Sequence, residues 1–407
     1  MLNALKEKYW QYKSEQARLG KLKLAENKCF ADLVVQQKTT ELVIEQASIA
    51  NNEHHIQSAI AWLLRGQQAT TDNGVSLGYF PLSEHNGWMP SYPETTGYII
   101  TTLLKVAKQN HNEQLKHKAL AMADWEIDVQ MPNGAVQGGP VCAPENQTAA
   151  AFNTGMVADG WMSAFEATGE SKYLDAAVRA ATFLANDLDE HGFFKTNGDF
   201  VSQNEVKTYT CLCAWAMYRA GIAAQNTEIK EAAIRSVEAA INQQNDVGWF
   251  KNNCLTHSDM PLTHTIGYVL QGVLEVGILA ERADFISAAK QGLSGAVSSM
   301  LENGYLSARL NNKWKPQEQY VCLTGSVQLA ILCFRFAEQL NDTSFIESGH
   351  KLTNFVKATQ LLTTDNDAMQ GAIAGSYPIM GDYMTAGYPN WATKYFIDAL
   401  ILQNQYL

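Results

Sequence analysis

Ser91-Tyr92-Pro93-Glu94-Thr95-Thr96-Gly97-Tyr98 ends on a pattern that returns down the whole chain. Thr154-Gly155-Met156, Thr265-Ile266-Gly267-Tyr268 and Thr324-Gly325-Ser326 repeat it, with degenerate copies at Thr210-Cys211 and Ala392-Thr393. Each copy opens an apolar segment with helical periodicity. Successive copies stand about 57 residues apart, the mark of one small unit repeated because it cannot bury its hydrophobic face alone.

Between the copies two kinds of helical segment alternate. Residues 53–66, 112–128, 171–187, 227–243, 283–300 and 343–359 are amphipathic; in Ser171-Lys-Tyr-Leu-Asp-Ala-Ala-Val-Arg-Ala-Ala the charges of Lys172, Asp175 and Arg179 share one face. Such helices suit an outer layer with one side in water. Residues 95–108, 150–167, 207–223, 264–280, 323–339 and 390–403 are apolar nearly all round, so they must be buried all round. Six of each, in alternation, predict an all-α (α/α)6 toroid over residues 51–407, with the buried helices lining its centre. Residues 1–50 fall outside the repeat, and the spacing of Leu5, Tyr9, Tyr12, Leu33, Val34, Leu42, Val43 and Ile44 predicts an N-terminal helical extension.

The links from outer to inner helices run 20 to 30 residues, each with a glycine beside an apolar or aromatic residue. The copies are Asn86-Gly87-Trp88, Asn133-Gly134-Ala135, His191-Gly192-Phe193, Val247-Gly248-Trp249, Asn303-Gly304-Tyr305 and Gln370-Gly371-Ala372. Long loops on one face of a rigid ring are where function collects. All six deliver their last residues to inner-helix N-termini, whose free N–H groups and positive potential favour anionic ligands. The residues delivered are Trp88, Tyr92, Glu94, Glu145, Asn153, Tyr209, His264, Glu318 and Tyr320, together with Asp382, Tyr383, Tyr388, Asn390, Trp391 and Lys394 from a dense last loop. Aromatic faces stack on pyranose rings while amides and carboxylates bind hydroxyls, so this mouth suits a saccharide. Each residue also has a plainer reading: Glu94 as a first-turn acid after Pro93, His264 as a cap, Glu145 and Glu318 as solvated charges.

Composition narrows the field. The 407 residues are 46% hydrophobic and 17% charged, enough apolar content for a large core. A net charge of -11 disfavours nucleic acid and anionic membrane as partners. No apolar run reaches the length of a membrane span, and the N-terminus lacks a secretory pattern. The seven cysteines are scattered, several inside apolar helix patterns, which suggests reduced thiols and a cytoplasmic protein. Phosphate-binding GxxxxGK[ST] and GxGxxG, zinc-spaced His and Cys, HExxH and GxSxG are all absent, and no cofactor or metal is expected.

Five strings carry a resemblance: Ser91-Tyr-Pro-Glu-Thr-Thr-Gly-Tyr-Ile-Ile, Phe152-Asn-Thr-Gly-Met, Thr263-His-Thr-Ile-Gly-Tyr-Val-Leu-Gln-Gly, Cys322-Leu-Thr-Gly and Tyr388-Pro-Asn-Trp-Ala-Thr-Lys-Tyr. They resemble proteins of bacterial exopolysaccharide clusters, of the Vibrio polysaccharide biosynthesis VpsJ type, over about residues 53–403. More distantly the toroid is similar to glucuronyl C5-epimerases, unsaturated glucuronyl hydrolases and polysaccharide lyases. The resemblance implies a carbohydrate-active enzyme of surface-polysaccharide biosynthesis, acting on an oligo- or polysaccharide, possibly acidic, beside other biosynthesis proteins. Three readings follow. A uronate C5-epimerase or lyase would draw on Glu94, Tyr92, His264, Tyr320, Tyr383, Tyr388 and Lys394 for proton transfer and charge. A glycoside hydrolase would draw a carboxylate pair from Glu94, Glu145, Glu318 and Asp382. A non-catalytic glycan-binding or assembly protein would use the same mouth.

Overall fold

The computed structural model describes residues 51–82, 87–201 and 205–407. The expected extension over residues 1–50 and Asn86 of the first loop copy lie outside the described residues. Among the described residues twelve α-helices follow in hairpin order: α1 (Asn52–Gln68) and α2 (Pro93–Gln109), α3 (Glu113–Val129) and α4 (Ala151–Thr168), α5 (Ser171–Asp187) and α6 (Cys213–Ala223). The second half repeats this with α7 (Thr227–Ile241) and α8 (Thr263–Leu279), α9 (Ala283–Val297) and α10 (Leu323–Leu340), α11 (Ile346–Ala358) and α12 (Asn390–Gln403). Even-numbered helices form the inner ring, and α12 packs against α1 and α2 as well as α10, closing an (α/α)6 toroid. Inner helices such as α4 are buried on every side from Ala151 to Ala164, whereas α5 buries one stripe, Tyr173, Ala176, Ala177, Ala180, Ala181 and Leu184. Short links with Asn112 and Asn226 as N-caps turn each inner helix into the next outer one.

The Thr-Gly pairs do two separate jobs. The threonine fastens the preceding link: Oγ1 of Thr96, Thr154 and Thr393 accepts the N–H of Val75, Val136 and Ile373 at 2.9, 2.9 and 3.0 Å. The glycine lets neighbouring inner helices touch backbone to backbone. A Cβ on Gly97 would lie 2.5 Å from Val157 Cα on α4, and one on Gly155 2.8 Å from Cys213 Cα. In the third unit Cys211 replaces the glycine, and the segment opens as a 3-10 turn over Thr208–Leu212 before α6 begins. There the close approach comes from the other side, with Gly272 of α8 against the Leu212 backbone.

The threonine bonds correct the first loop copy. Its equivalent residues are Asp72-Asn73-Gly74: Val75 occupies the place of Val136 and Ile373, and Asn73, at φ +70, stands where Gly134 and Gly371 stand. Gly87 and Trp88 instead form a strand. Loop glycines seat each link on the following outer helix; Gly371, at φ +86, lies so close to Ser58 O of α1 that a Cβ would sit at 2.1 Å. The sixth link therefore locks onto the first helix.

Among the described residues five two- or three-residue strands lie in the links, an addition to the all-helical expectation. β1 (Gly78–Phe80) pairs antiparallel with β2 (Gly87–Trp88), and β3 (Val321–Cys322) with β4 (Ser376–Tyr377). β5 (Tyr388–Pro389) pairs with β1, Tyr388 opposite Tyr79, so the last link is bonded to the first. Pairing between links keeps loop backbone satisfied where it crosses buried ground.

Among the described cysteines only Cys142 is part-exposed; Cys211, Cys213, Cys322 and Cys333 are buried, and burial pushes their thiols up. Thiolate is the reactive form. Iodoacetamide labelling of native protein, mapped by peptide mass spectrometry, is expected to modify Cys142 and leave these four unlabelled until denaturant is added.

Candidate functional site

Tyr92 is the extended N-cap of α2, Pro93 its first helical residue and Glu94 its second. Proline suits that position because its missing N–H would have no helical partner. A carboxylate in a first turn ordinarily gains from the helix dipole, an effect worth about 0.3–1 kcal/mol. Here desolvation inside the ring is larger and raises Glu94 from 4.5 to about 7, opposed by the hydrogen bond that Tyr92 Oη donates to Oε2 at 2.7 Å. Glu94 is half-buried and reachable from solvent, so the carboxyl is neutral in acid and about half-ionised at neutrality.

Around it stands a cage of aromatic rings from four inner helices and the last link. Tyr98 follows Glu94 by one turn, and its ring lies 5.5 Å from that of Tyr395. Tyr395 is 6.2 Å from Tyr268, which is 4.8 Å from Phe152 and 4.4 Å from His264. Tyr209 meets Phe152 at 5.3 Å, and Tyr383 meets His264 at 5.4 Å. Burial raises the phenols of Tyr92, Tyr98, Tyr209, Tyr268 and Tyr383, and the Glu94 charge raises each further, which puts all five around one carboxyl.

Two donors in this cage lack partners. Asn153, 2% exposed, stands beside Tyr92, yet its Nδ2 makes no well-formed hydrogen bond, and the Tyr98 hydroxyl is also unpaired. Buried unpaired polar groups are uncommon and expensive, so they mark where a polar ligand fits. His264 is different. Burial lowers it to about 4, so it is neutral, and its Nδ1 faces Gln328 Oε1 at 3.1 Å. An amide oxygen only accepts, so Nδ1 carries the proton and Nε2 is left as an acceptor.

The structure thus brings together Glu94, Tyr92, His264, Asn153, Tyr209 and Tyr383, with Trp391 donating from Nε1 to Tyr383 Oη at 2.7 Å. Other expected residues lie elsewhere. Glu145 is exposed on a short 3-10 turn, Pro144–Asn146. Trp88 packs on Trp62 and Tyr79, with ring centroids 5.5 and 5.3 Å away. Tyr388 is buried in β5. Asn390 Nδ2 donates to Ser76 O and Thr95 Oγ1 at 2.8 and 2.7 Å, a stitch between the last inner helix and the first link. Lys394 lies beneath the cage, paired with Asp398 at 2.8 Å and 4.0 Å from the Tyr395 ring centroid. Since Thr393 matches Thr96, Lys394 stands where Gly97 stands in the first unit.

Tyr320, Glu318 and Asp382 belong to a second group built from the fourth to sixth links. Its centre is Arg309, whose Nη1 donates to Met260 O at 3.0 Å and lies 3.7 Å from Cys254 Sγ. Burial raises Tyr320 to about 12 against the pull of Arg309. Burial also lowers His257, as does Arg309, while Glu318 and Asp382 act against that shift. Burial alone would raise Cys254, but the N–H groups of His257, Thr256 and Leu262, with Arg309, hold its thiol below the usual range. Sequence reasoning missed Arg309, Cys254 and His257, and also Phe152, Tyr98, Tyr268 and Tyr395. The last three were findable, because they fall four residues after Glu94, His264 and Trp391 and so on the same helix face.

Among the described residues no three His, Cys, Asp or Glu side chains group as a metal site, and no helix is long and apolar enough to cross a membrane. No protein-family model matches the chain. No curated protein matches its sequence either. Solved structures do share the fold. An unsaturated glucuronyl hydrolase specific for heparin superposes with TM-score 0.69 at 13% identity, covering 87% of this chain and 97% of that one. The unsaturated glucuronyl hydrolase of Bacillus sp. GL1 gives 0.68 at 14%, covering 86% and 96%. An alpha-amylase from Clostridium perfringens gives 0.61 at 11%, covering 88% and 99%. At such identities the likeness establishes the fold: this chain is built as an (α/α)6 toroid like those of glucuronyl hydrolases.

Proposed function

We propose that the protein is a carbohydrate-active enzyme whose general acid is Glu94, and that it hydrates the ring double bond of an unsaturated uronide. The observation that carries this reading is a carboxyl raised to about 7 and hydrogen-bonded to Tyr92, inside an aromatic cage with unpaired donors. In an unsaturated uronide the ring oxygen is part of an enol ether. A proton from Glu94 adds to C4, the positive charge develops at C5 and the ring oxygen, and water adds to C5 as the ionised Glu94 takes back a proton. The resulting hemiketal opens and releases the neighbouring sugar, with net consumption of one water. One carboxyl serves both steps, as the same group acts first as acid and then as base.

The other readings ask for groups that this cage does not hold among the described residues. Hydrolysis by a carboxylate pair needs a second acid about 5–10 Å from the first. The charges acting on Glu94 include none from Glu145, Glu318 or Asp382. Epimerisation needs a base to remove the C5 proton, and a carboxyl held half-neutral among phenols of raised pKa is better made to give a proton than to take one from carbon. The resemblance of the five strings to exopolysaccharide-cluster proteins favours a bacterial polysaccharide as the source of substrate.

Incubation with an unsaturated uronyl disaccharide in D2O separates these readings. The expected result is loss of the conjugated ultraviolet absorbance and one deuterium at C4 of the product. Deuterium at C5 of an intact saturated chain would show epimerisation, and new reducing ends with no carbon-bound deuterium would show ordinary glycoside hydrolysis. Either would overturn the proposal.

A further inference from the structure

The far end of the ring, where the inner helices finish, holds a second concavity of about 630 Å³. It is closed off from the Glu94 cage by a layer of buried charge. Lys394 is paired with Asp398, which also accepts from Thr102 at 2.9 Å, and Asp159 accepts from Arg219 and from Thr101 at 3.0 Å. A saccharide in the cage cannot thread through that layer.

The walls of this concavity run against the charge of the whole. On a chain of net charge -11, Lys105 and Lys108 of α2, Lys116 of α3 and Arg219 of α6 face only Glu113 and Glu166. Arg219 is committed to Asp159 and Glu166, and Lys116 stands 3.9 Å from Glu113. Lys105 and Lys108 make no ion pair among the described residues; Lys105 acts on Glu338, which Arg335 already holds. Three residues apart on a helix, the two ammonium groups share one face. Across from them the Trp215 ring forms part of the wall, with Arg219 5.6 Å from its centroid. Two uncompensated cations beside a part-exposed indole match a sugar that carries an anion: the cations take the charge and the ring face takes the pyranose.

We infer that this concavity is a second binding site, for an anionic sugar bearing a carboxylate or a phosphate, independent of the Glu94 chemistry. A site there anchors the protein to an acidic polymer or holds a charged sugar precursor on the side of the ring away from the cage. Lysine acetylation by acetic anhydride, mapped by peptide mass spectrometry, reads the site locally. The probes are a glucuronate-containing trisaccharide, glucose 1-phosphate and neutral maltotriose. Protection of Lys105 and Lys108, but not of Lys118 on the outer face of α3, is expected with at least one anionic probe, weakening as salt is added. Protection by the trisaccharide alone identifies polymer as the source, and by glucose 1-phosphate alone a precursor. By calorimetry, the Lys105→Gln/Lys108→Gln variant should bind the protecting probe about tenfold more weakly at this site, or about 1.4 kcal/mol. Glu94→Gln should leave the protection unchanged, so failure of the hydration assay does not touch this inference. Equal protection by maltotriose, or none by either anion, overturns it, as does unchanged binding in the double variant.

Discussion

Glu94→Gln is expected to lower kcat by about a thousandfold, the usual scale for losing a positioned general acid, and at the same time to make the protein more stable above neutral pH. The two effects share a cause. Burial raises the carboxyl from 4.5 to about 7, so the folded state holds a proton that the unfolded chain has already lost. For an acid whose folded pKa is raised, ionisation works against folding: the cost is absent below the unfolded pKa, grows as pH rises from about 4.5, and is complete above about 7. At pH 8 it amounts to about 3 kcal/mol on the scale of 1.36 kcal/mol per unit. Glutamine removes that cost while its amide oxygen still accepts from Tyr92. Urea unfolding should therefore show the variant more stable than wild type by up to about 3 kcal/mol at pH 8, with the gain gone by pH 4. The wild-type rate should be flat in acid and fall tenfold per unit above about pH 7, as the acid form is lost. A variant that keeps its activity, or gains nothing in stability at high pH, would remove Glu94 from the centre of the site.

Gly97→Val is expected to cost about 4 kcal/mol or to prevent folding, at the upper end of what overpacking does. A Cβ there would lie 2.5 Å from Val157 Cα and 2.9 Å from both Met156 O and Val157 N, all backbone atoms of α4. No rotamer change relieves such a contact, so α2 and α4 must separate. The opposite side is equally tight, since a Cβ on Gly160 would meet Gly97 O at 2.3 Å. Because α2 also carries Tyr92 and Glu94, a partly folded variant would lose the cage geometry as well. Gly169→Ala is the control. Gly169 ends α4 at φ +74 with nothing within 4 Å of its missing Cβ, so only the left-handed backbone is penalised, by about 1 kcal/mol. Comparing the two urea midpoints separates helix contact from backbone strain. Equal losses would mean that the inner ring tolerates a wider spacing than the Gly97 contact implies.

Much of the ring was legible because helix burial is periodic. The 171–187 and 390–403 segments coincide with α5 and α12 residue for residue, and the others differ at their ends, where capping decides. The first loop copy was misplaced because Asn86-Gly87 is a strong turn signal, whereas the true copy, Asp72-Asn73-Gly74, carries asparagine where the others carry glycine and is identified by the bond from Val75 to Thr96. The short strands were not legible at all, for two or three residues carry no periodicity and the β1–β5 pairing joins links some 300 residues apart.

The site divides in the same way. Glu94 stood out from residue type and its place before Thr96-Gly97, and His264 from its place before Gly267. What the carboxyl does depended on partners that sequence distance hides: Asn153, Tyr209 and Tyr383 reach it from three other units. By itself the sequence determined the number of hairpins, which helices are buried, and which end of the ring collects polar and aromatic residues, because hydrophobic period and glycine placement act locally. Only the tertiary structure decided that burial raises Glu94 beside Tyr92, that Glu145 faces water, that Lys394 is held by Asp398, and that Lys105 and Lys108 open into a cavity at the opposite end. Those are outcomes of desolvation and charge pairing, which depend on everything that surrounds a group once the ring has closed.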